Sequence, residues 1–422
     1  MTLLVISPDY ASHLLPLATM ATPWRDAGER VVVATGPATD AIVASFGYER
    51  ADLSLGRAAN PGVIRSAGDP LRRFFAATRR GMVATLRLQA EDRGADLLWD
   101  PVGRAKAVHD ILDRIRPDHI IVDHLAFSAR LALTAGAIPH ADVVLGHPSA
   151  LPVADEVYGY PTAWPSAFDP GPDELTGLHR LCEIVRDTFT ADWNTALLAL
   201  APAAQPSADA FAEHGDLLLY NYPAALHDPA RTDRLPPHVF LGSAVRDDPV
   251  PADVRAWLDG SDRPFVYVSF GSFLSERADV LTTVMTALRS LNARVALATG
   301  SAHDLPQAPT DWLVRPHLPQ TALLARASAV ITHGGNNSVT EALTFGVPLV
   351  VLPFSTDQFA GAAAVEAAGL GVALDPNSAP AEAIAGAVLA VGDGVVVARA
   401  GALGEELRRV PGPDVARAAI AG

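Results

Sequence analysis

The chain has 422 residues, 49% of them apolar, which is enough for two or three domains with a core each. Its net charge of −15 argues against nucleic acid or an anionic membrane as a general partner. Cys182 is the single cysteine, which excludes an internal disulfide and a thiolate metal cluster. No apolar run approaches the roughly 20 residues of a membrane span. The chain opens on a predicted strand without a basic leader, so we expect a cytoplasmic protein.

The first half of the chain alternates short apolar runs with helical patterns. The predicted strands are Leu3 to Ile6, Arg30 to Thr35 and His119 to Val122, and Phe127 to Ala135 is a predicted helix. This alternation is typical of βαβ units and therefore of a parallel sheet. Two longer stretches, Ala58 to Asp100 and His140 to Leu178, lack a clear period, and we expect them to be irregular.

The second half repeats the alternation after a connection rich in proline, aspartate and serine. Its predicted strands are Phe265 to Ser269, Val295 to Ala298, Trp312 to Val314, Ala329 to Ile331 and Leu349 to Leu352. We therefore predict a first domain over residues 1–241, an interdomain linker over 242–264 and a second domain over 265–400. The helical segment 401–422 is a candidate to pack back on the first domain.

A glycine turn joins the strand Ala329 to Ile331 to a predicted helix, Asn337 to Phe345. Gly334 and Gly335 form the turn, so unpaired N–H groups and the positive end of the helix dipole point at one place, which suits phosphate. Glu341 lies one helical turn beyond Asn337, where its carboxylate can accept from two vicinal hydroxyls. An ordinary capped helix is the alternative for this motif taken alone.

The residues around the turn complete a longer pattern. Pro319-Gln320 precedes the turn, Gly346-Val347-Pro348 follows the helix, and Asp357-Gln358 follows the next strand. The order PQ…THGGNNS..E…GVP…P…DQ resembles the donor-binding signature of the UDP-glycosyltransferase family. The resemblance implies an inverting, metal-independent enzyme of GT-B fold, with two Rossmann-like parallel-sheet domains facing each other across a cleft.

The same resemblance assigns roles to residues of the second half. The nucleotide-sugar set that it implies is Ser272, His317, Gln320, His333, Gly334, Gly335, Asn337, Ser338, Glu341, Asp357 and Gln358. Gln320 and Glu341 would contact the nucleoside, with Glu341 on the ribose hydroxyls, and His317 stands where relatives often stack a tryptophan on the base. Ser272, His333, Asn337 and Ser338 would contact the diphosphate, whose charge the helix terminus and His333 would stabilise. Asp357 and Gln358 would hold sugar hydroxyls.

Two residues of the first half are the predicted catalytic pair. His13 follows the first strand, where the family carries its general base, and a histidine of near-neutral pKa can take the proton of an acceptor hydroxyl. Asp123 follows the strand His119 to Val122 and resembles the acid that orients this base. A helix-capping role for His13 and an N-cap role for Asp123 remain alternatives. His119, His124, His140 and His147 have no ligand spacing and are expected at the surface or in the cleft.

The donor and the metal requirement follow from the same residues. A deoxythymidine donor lacks the ribose 2′-hydroxyl, so Glu341 favours UDP, although bacterial natural-product relatives often use dTDP-deoxysugars. The chain contains no Asp-x-Asp, which fits a reaction without a metal, and no cofactor is expected beyond the UDP-sugar co-substrate. Ser12 and Gly361 depart from the family pattern, where glycine and asparagine are usual.

The acceptor is predicted only by class. A hydrophobic natural product made in bacterial secondary metabolism, as in antibiotic biosynthesis, would bind against the first half. Aromatic residues that either line its pocket or belong to the core are Phe74, Phe75, Trp99, Phe127, Tyr158, Tyr160 and Trp164. A homodimer is possible. A non-catalytic auxiliary protein and a UDP-sugar epimerase or hydrolase remain as other functions.

Overall fold

The computed structural model describes residues 1–56, 70–271 and 276–422, and two fully parallel sheets organise them. The first sheet contains β1 (Thr2–Ile6), β2 (Arg30–Thr35), β3 (Glu49–Asp52), β4 (His119–Asp123), β5 (Ala141–Val144), β6 (Leu217–Tyr220) and β7 (His238–Phe240). Its strand order is β3-β2-β1-β4-β5-β6-β7. This order changes direction beside β1, as in a doubly wound sheet, and so places a crevice at the carboxyl ends of β1 and β4.

The second sheet has six strands in the order β10-β9-β8-β11-β12-β13. They are β8 (Phe265–Ser269), β9 (Arg294–Ala298), β10 (Leu313–Arg315), β11 (Ala329–Thr332), β12 (Leu349–Val351) and β13 (Gly371–Ala373). The reversal of direction here lies between β8 and β11, the strand that leads into the glycine turn. Together the two sheets confirm the predicted fold of two Rossmann-like parallel-sheet domains.

Helices cover both faces of the two sheets. Up to residue 259 they are Ala11–Met20, Thr22–Asp26, Asp40–Ser45, Pro70–Arg80, Met82–Leu97, Pro101–Ile115, Phe127–Ala135, Pro172–Leu200, Pro229–Thr232 and Ala252–Asp259. Beyond it they are Ala278–Ser290, Gln320–Leu324, Asn336–Thr344, Gln358–Ala367, Ala381–Val391, Gly394–Arg409 and Gly412–Ala421. Within the described ranges no single helix is long and apolar enough to cross a membrane; only the pair Ala381–Val391 and Gly394–Arg409, bent by 62°, passes by length and composition.

The stretch Ala58 to Asp100 is more regular than its sequence indicates. Its described part forms two helices, Pro70–Arg80 and Met82–Leu97, and the prediction of an irregular segment is wrong there. Met82, Leu86 and Ala90 are buried at spacings of four residues, which is the helical period that the sequence reasoning missed.

Helices of the first half also pack on the second half. Phe75, from the helix Pro70–Arg80, is buried in the same cluster as Val268 of β8. Arg277 is buried and donates to the hydroxyl of Thr78 at 3.4 Å, and the Asn377 amide donates to the Thr78 carbonyl at 2.8 Å. These contacts hold the two halves together at one end of the cleft.

The end of the chain returns to the first half. The last helix, Gly412–Ala421, packs on the helices Ala11–Met20 and Thr22–Asp26. Arg417 donates to the carbonyl of Pro23 at 2.7 Å and to Glu29 at 2.8 Å. The helix Gly394–Arg409 runs through the predicted boundary at residue 400, because its buried face packs on the helix Asn336–Thr344 of the second half. The segment that reaches back is therefore the last helix; the other domain limits remain predictions.

Gly404 sets the approach of the helix Gly394–Arg409 to the second half. A Cβ at this position would lie 2.6 Å from the backbone nitrogen of Gly346 and 2.7 Å from its Cα. We predict that Gly404→Ala lowers the free energy of unfolding by about 1–3 kcal/mol, because backbone must shift to accept the methyl group. Gly401→Ala, in the same helix, should raise it by about 0.5–1 kcal/mol, since its Cβ would meet nothing within 4 Å.

Urea denaturation followed by circular dichroism measures both variants. Equal midpoints for Gly404→Ala and Gly401→Ala would contradict this account of the packing.

Candidate active site

The glycine turn after β11 has the geometry that its sequence predicts. Gly334 has a φ of +81°, and a Cβ there would lie 2.7 Å from Cγ1 of Val351. Gly335 is the N-cap of the helix Asn336–Thr344, and this cap makes no side-chain hydrogen bond to the first turn. The backbone N–H groups of that turn therefore remain available to an anion, as the phosphate prediction requires.

His333 lies between two glycines. A Cβ at Gly335 would clash with its Nε2, and a Cβ at Gly271 would lie 3.2 Å from its Cε1. Burial lowers the pKa of His333 to about 4, although a hydrogen bond to the Ser269 backbone and the charge of Asp357 oppose the shift. The imidazole is thus neutral at pH 7 and would contact the diphosphate as a hydrogen-bonding group.

His13 and Asp123 form a dyad at the carboxyl ends of neighbouring parallel strands. Nδ1 of His13 donates to Oδ2 of Asp123 at 2.6 Å, and Oδ1 of Asp123 accepts from the backbone of Leu125 at 2.8 Å. Asp123 is fully buried, whereas 20% of the His13 side chain is exposed. The helix Phe127–Ala135 is capped at Ala126 without a side-chain bond, so Asp123 is not its N-cap. The pairing instead leaves Nε2 of His13 as the free acceptor of this imidazole.

The electrostatics of the dyad favour a charged pair. Burial lowers the pKa of His13. The negative charge of Asp123, the hydrogen bond to it and, to a smaller extent, the charge of Asp357 together outweigh burial, so the pKa of His13 is raised. For Asp123, burial alone would raise the pKa of the carboxyl group. The interaction with His13 outweighs burial, so the pKa of Asp123 is lowered. His13 is therefore a stronger base than an isolated histidine.

This shift predicts the pH dependence of any reaction in which His13 is the base. The base must be neutral, so kcat/KM should fall as the pH drops through the raised pKa, with an inflection above about 6.5. Asp123→Asn should move the inflection down, because the attraction that raises the pKa is removed. Initial rates from pH about 5 to about 9 test this, and an unchanged inflection in Asp123→Asn would contradict it.

The first turn of the helix Asn336–Thr344 contacts the first half directly. Nδ2 of Asn337 donates to the carbonyl of Ser12 at 2.8 Å, next to His13 in the chain. Nδ2 of Asn336 donates to the carbonyls of Leu145 and Asn221 at 2.8 and 2.9 Å. The glycine turn of the second half and the dyad of the first half thus belong to one site.

Asp357 interacts with three histidines of this site. Its Oδ2 accepts from the backbone N–H of His147 at 2.5 Å, and its Oδ1 accepts from the hydroxyl of Thr356 at 2.9 Å. Its charge adds to the raised pKa of His13 and opposes the lowering of the pKa of His333. The carboxylate predicted to hold a sugar therefore lies within electrostatic reach of both the predicted base and the predicted diphosphate contact.

The Gln358 side chain is hydrogen-bonded within its own loop. Its Oε1 accepts from the backbone N–H groups of Phe354 and Ser355 at 3.0 and 3.2 Å, and its Nε2 donates to the Ser355 hydroxyl at 3.1 Å. The side chain is buried. Its amide therefore stabilises the loop before the helix Gln358–Ala367, and one Nε2 proton is left over, so the contact with a sugar hydroxyl stays a prediction.

The predicted nucleoside contacts lie together but are bonded to each other. Nε2 of Gln320 donates to Oε2 of Glu341 at 2.6 Å, and Nη1 of Arg246 donates to Oε1 at 3.0 Å. Only 3% of the Glu341 side chain is exposed. Arg246 was missed by the sequence reasoning; its one signal was a single basic residue before Asp247 and Asp248 in the connection between the sheets.

The remaining predicted site residues are distributed as follows. His317 is exposed at the end of β10, and Ser338 is half-buried in the first turn after Gly335. Ser272 lies outside the described residues. His124 is buried, contrary to its expected surface or cleft position, because its ring lies against the backbone of Val143 and Leu145. His147 is buried where the two halves meet, with its backbone N–H on Asp357.

Several aromatic residues proposed for an acceptor pocket belong to cores instead. Phe127 and Tyr158 are buried together with Phe189 and Phe211, and the rings of Tyr158 and Phe211 stack with centroids 4.0 Å apart. Phe75 is buried in the core of the second half. Tyr160 and Trp164 are only partly buried, and they pack beside the helix Met82–Leu97.

Comparisons with known proteins find glycosyltransferases. A family model described as UDP-glucoronosyl and UDP-glucosyl transferase matches residues 203–396, the part that contains the connection, the glycine turn and Asp357. An uncharacterized UDP-glucosyltransferase, YdhE of Bacillus subtilis strain 168, is 38% identical over 100 residues, which are 23% of this chain and 25% of that protein. The chain covers 25% to 46% of the length of the first curated relatives that it matches.

Solved structures resemble the whole chain. The glycotransferase of kitacinnamycin superposes with a TM-score of 0.70 at 22% identity, covering 99% of this chain and 97% of that one. The spinosyn rhamnosyltransferase SpnG complexed with thymidine diphosphate superposes with a TM-score of 0.65 at 19% identity, covering 98% of each chain. At these identities the likeness establishes the shared fold.

Proposed function

We propose that the chain is a member of the UDP-glycosyltransferase family and acts as an inverting O-glycosyltransferase. It moves a hexose from a UDP-sugar to a hydroxyl group of a hydrophobic small molecule. One observation carries the proposal: the His13–Asp123 dyad lies against the glycine turn of the second half, through the hydrogen bond between Asn337 and Ser12. A base and a phosphate-binding helix terminus are therefore adjacent, as a direct displacement requires.

In this reaction His13 activates the acceptor. Nε2 takes the proton of the acceptor hydroxyl while the oxygen attacks the anomeric carbon, and the bond from that carbon to the diphosphate breaks. Asp123 holds the Nδ1–H and stabilises the imidazolium that forms. The departing UDP carries the negative charge, which the N–H groups of the turn at Gly335 and the helix dipole stabilise. No cofactor or metal ion enters the proposal.

The choice of UDP as the donor nucleotide depends on Glu341. A carboxylate beside the nucleoside can accept from both ribose hydroxyls, and the Bacillus relative is named as a UDP-glucosyltransferase. Two observations favour a dTDP-deoxysugar as the second candidate. Both oxygens of Glu341 are already bonded, and one structural neighbour was solved with thymidine diphosphate.

Parallel calorimetric titrations with UDP and dTDP separate these candidates. We predict tighter binding of UDP, by about tenfold, since the 2′-hydroxyl adds a hydrogen bond to a charged group. Equal affinity for the two nucleotides, or tighter binding of dTDP, would favour a dTDP-deoxysugar as the donor. Binding of neither nucleotide would contradict both and leave an auxiliary protein. Cytoplasmic location, assembly as a homodimer and a role in a bacterial natural-product pathway stay predictions from the sequence.

A further inference from the structure

We propose that Arg246 is a positioning residue for the nucleotide: it holds the carboxylate of Glu341 ready for the ribose and thereby sets the preference for a ribonucleotide donor. This inference rests on the proposed function, because it takes Glu341 as the ribose contact. It adds a residue from the connection between the two sheets, which lies 95 positions before Glu341 in the chain.

The hydrogen bonds around Glu341 leave it both oriented and able to accept. Arg246 uses one position on Oε1, at 3.0 Å, and Gln320 uses one position on Oε2, at 2.6 Å. A carboxylate offers about four acceptor positions, so one on each oxygen remains. Two vicinal hydroxyls need one acceptor each, and a carboxylate fixed from both sides offers them without losing further side-chain entropy.

Arg246 is itself fixed. Its Nε donates to Oδ1 of Asp248 at 2.7 Å and its Nη2 to Oδ2 at 3.2 Å, so the guanidinium is bound by a two-pronged ion pair. The hydroxyl of Thr321 donates to Asp248 at 3.3 Å. On the other side, the hydroxyl of Tyr267 donates to Oε1 of Gln320 at 3.3 Å. The network therefore joins the connection, β8 and the helices beginning at Gln320 and Asn336.

The charges facing Glu341 explain why the arginine is needed. They are the guanidinium of Arg246 and the carboxylate of Asp248, and the Tyr267 phenol is the other titratable group of the network. Burial raises the pKa of Glu341, and Arg246 is the main opposing influence, whereas Asp248 adds to the increase. Without Arg246 the buried Glu341 would face Asp248 alone and would take up a proton more readily.

A protonated Glu341 would change nucleotide selection. A neutral carboxyl is a weaker acceptor and presents its own O–H, so it loses much of its interaction with two hydroxyl donors. The ribose of UDP has two such hydroxyls, whereas the deoxyribose of dTDP has one. Loss of the ionised carboxylate therefore weakens the binding of UDP more than the binding of dTDP, and the preference for UDP becomes smaller.

The test is titration of four proteins with UDP and with dTDP from about pH 6 to about pH 9. They are the unaltered protein, Arg246→Met, Arg246→Lys and the control Arg315→Met. Arg315 suits the control because it also joins the second sheet to the connection, through an exposed ion pair with Asp253 at 3.1 Å. We expect Arg246→Met to reduce the UDP-over-dTDP ratio by about tenfold at neutral pH. The ratio should recover as the pH rises and Glu341 ionises, and Arg246→Lys should retain most of it.

The outcomes separate this inference from the proposed function. The inference is overturned if Arg246→Met keeps the normal ratio of UDP affinity to dTDP affinity. It is also overturned if the variant binds both nucleotides more weakly by the same factor at every pH. A protein without any preference for UDP also overturns it but leaves a transferase with another donor. If the unaltered protein binds neither nucleotide, the proposed function itself fails. If Arg246→Met does not fold, Arg246→Gln takes its place: a UDP-over-dTDP ratio that falls at neutral pH and recovers as the pH rises supports the inference, and an unchanged ratio opposes it.

Discussion

Replacing His13 by alanine should reduce hexose transfer by about 10²–10⁴-fold while UDP binding stays nearly unchanged. His13 acts only as the acceptor loses its proton, so its removal raises the barrier to bond formation without removing a donor contact. The dyad also predicts non-additivity: once His13 is absent, a second change, Asp123→Asn, has no imidazole to orient. The double variant should therefore be about as slow as His13→Ala alone.

Initial transfer rates and calorimetric UDP titrations measure the two halves of this prediction. His214→Ala provides the control, because His214 is an exposed histidine of the same half whose ring bonds the carbonyl of its neighbour Gly215. Turnover of His13→Ala at the level of His214→Ala would exclude His13 as the base. A loss of UDP binding equal to the loss of transfer would instead make His13 a donor-binding residue.

Asp357→Asn should lower kcat/KM by about 10- to 100-fold, which is the second largest effect we expect. The amide keeps the size of the carboxylate and can still accept from the His147 N–H, so the loop should stay folded. The variant loses a charged acceptor for sugar hydroxyls, which should raise the activation free energy by about 1.5–3 kcal/mol. It also removes one of the charges that raise the pKa of His13, so the acid limb of the pH profile should shift downward.

Glu366→Gln is the matched control for Asp357. Glu366 lies in the helix Gln358–Ala367 and also joins the two halves, accepting from the backbone and hydroxyl of Ser166 at 2.9 and 3.0 Å. If weakening any carboxylate contact between the halves slowed the reaction, Glu366→Gln would have the same effect as Asp357→Asn. Steady-state kinetics with saturating acceptor distinguish the two, and equal losses would contradict a sugar contact at Asp357.

Much of the fold was predictable because the central strands are buried on both faces. The apolar runs at Arg30–Thr35 and Phe265–Ser269 appear in the structure with the same limits, as does the helix Phe127–Ala135. The edge strand β3, Glu49–Asp52, was missed because it consists of Glu-Arg-Ala-Asp and buries one of the four side chains. Its place in the sheet comes from pairing with β2, which a local pattern does not reveal.

The site was predictable where a motif also fixes the backbone. Gly334 adopts the positive φ that its turn requires, and the adjacent strands β1 and β4 bring His13 to Asp123. The partners of Arg246 and Gln358 were not predictable. The partners of Arg246 depend on the path of a long connection, and the partners of Gln358 depend on a loop in which Thr356 has a φ of +53°. Neither leaves a period or a spacing in the sequence.

The most direct test of the account is the anomeric configuration of the product formed from UDP-α-glucose. The purified protein is incubated with this donor and a panel of phenolic and polycyclic alcohols, and the anomeric proton is followed by nuclear magnetic resonance. Direct attack by an acceptor that His13 has deprotonated predicts a β-linked glucoside. An α-linked product would contradict the single displacement. Free glucose, or no transfer to any alcohol despite UDP binding, would contradict the transferase itself.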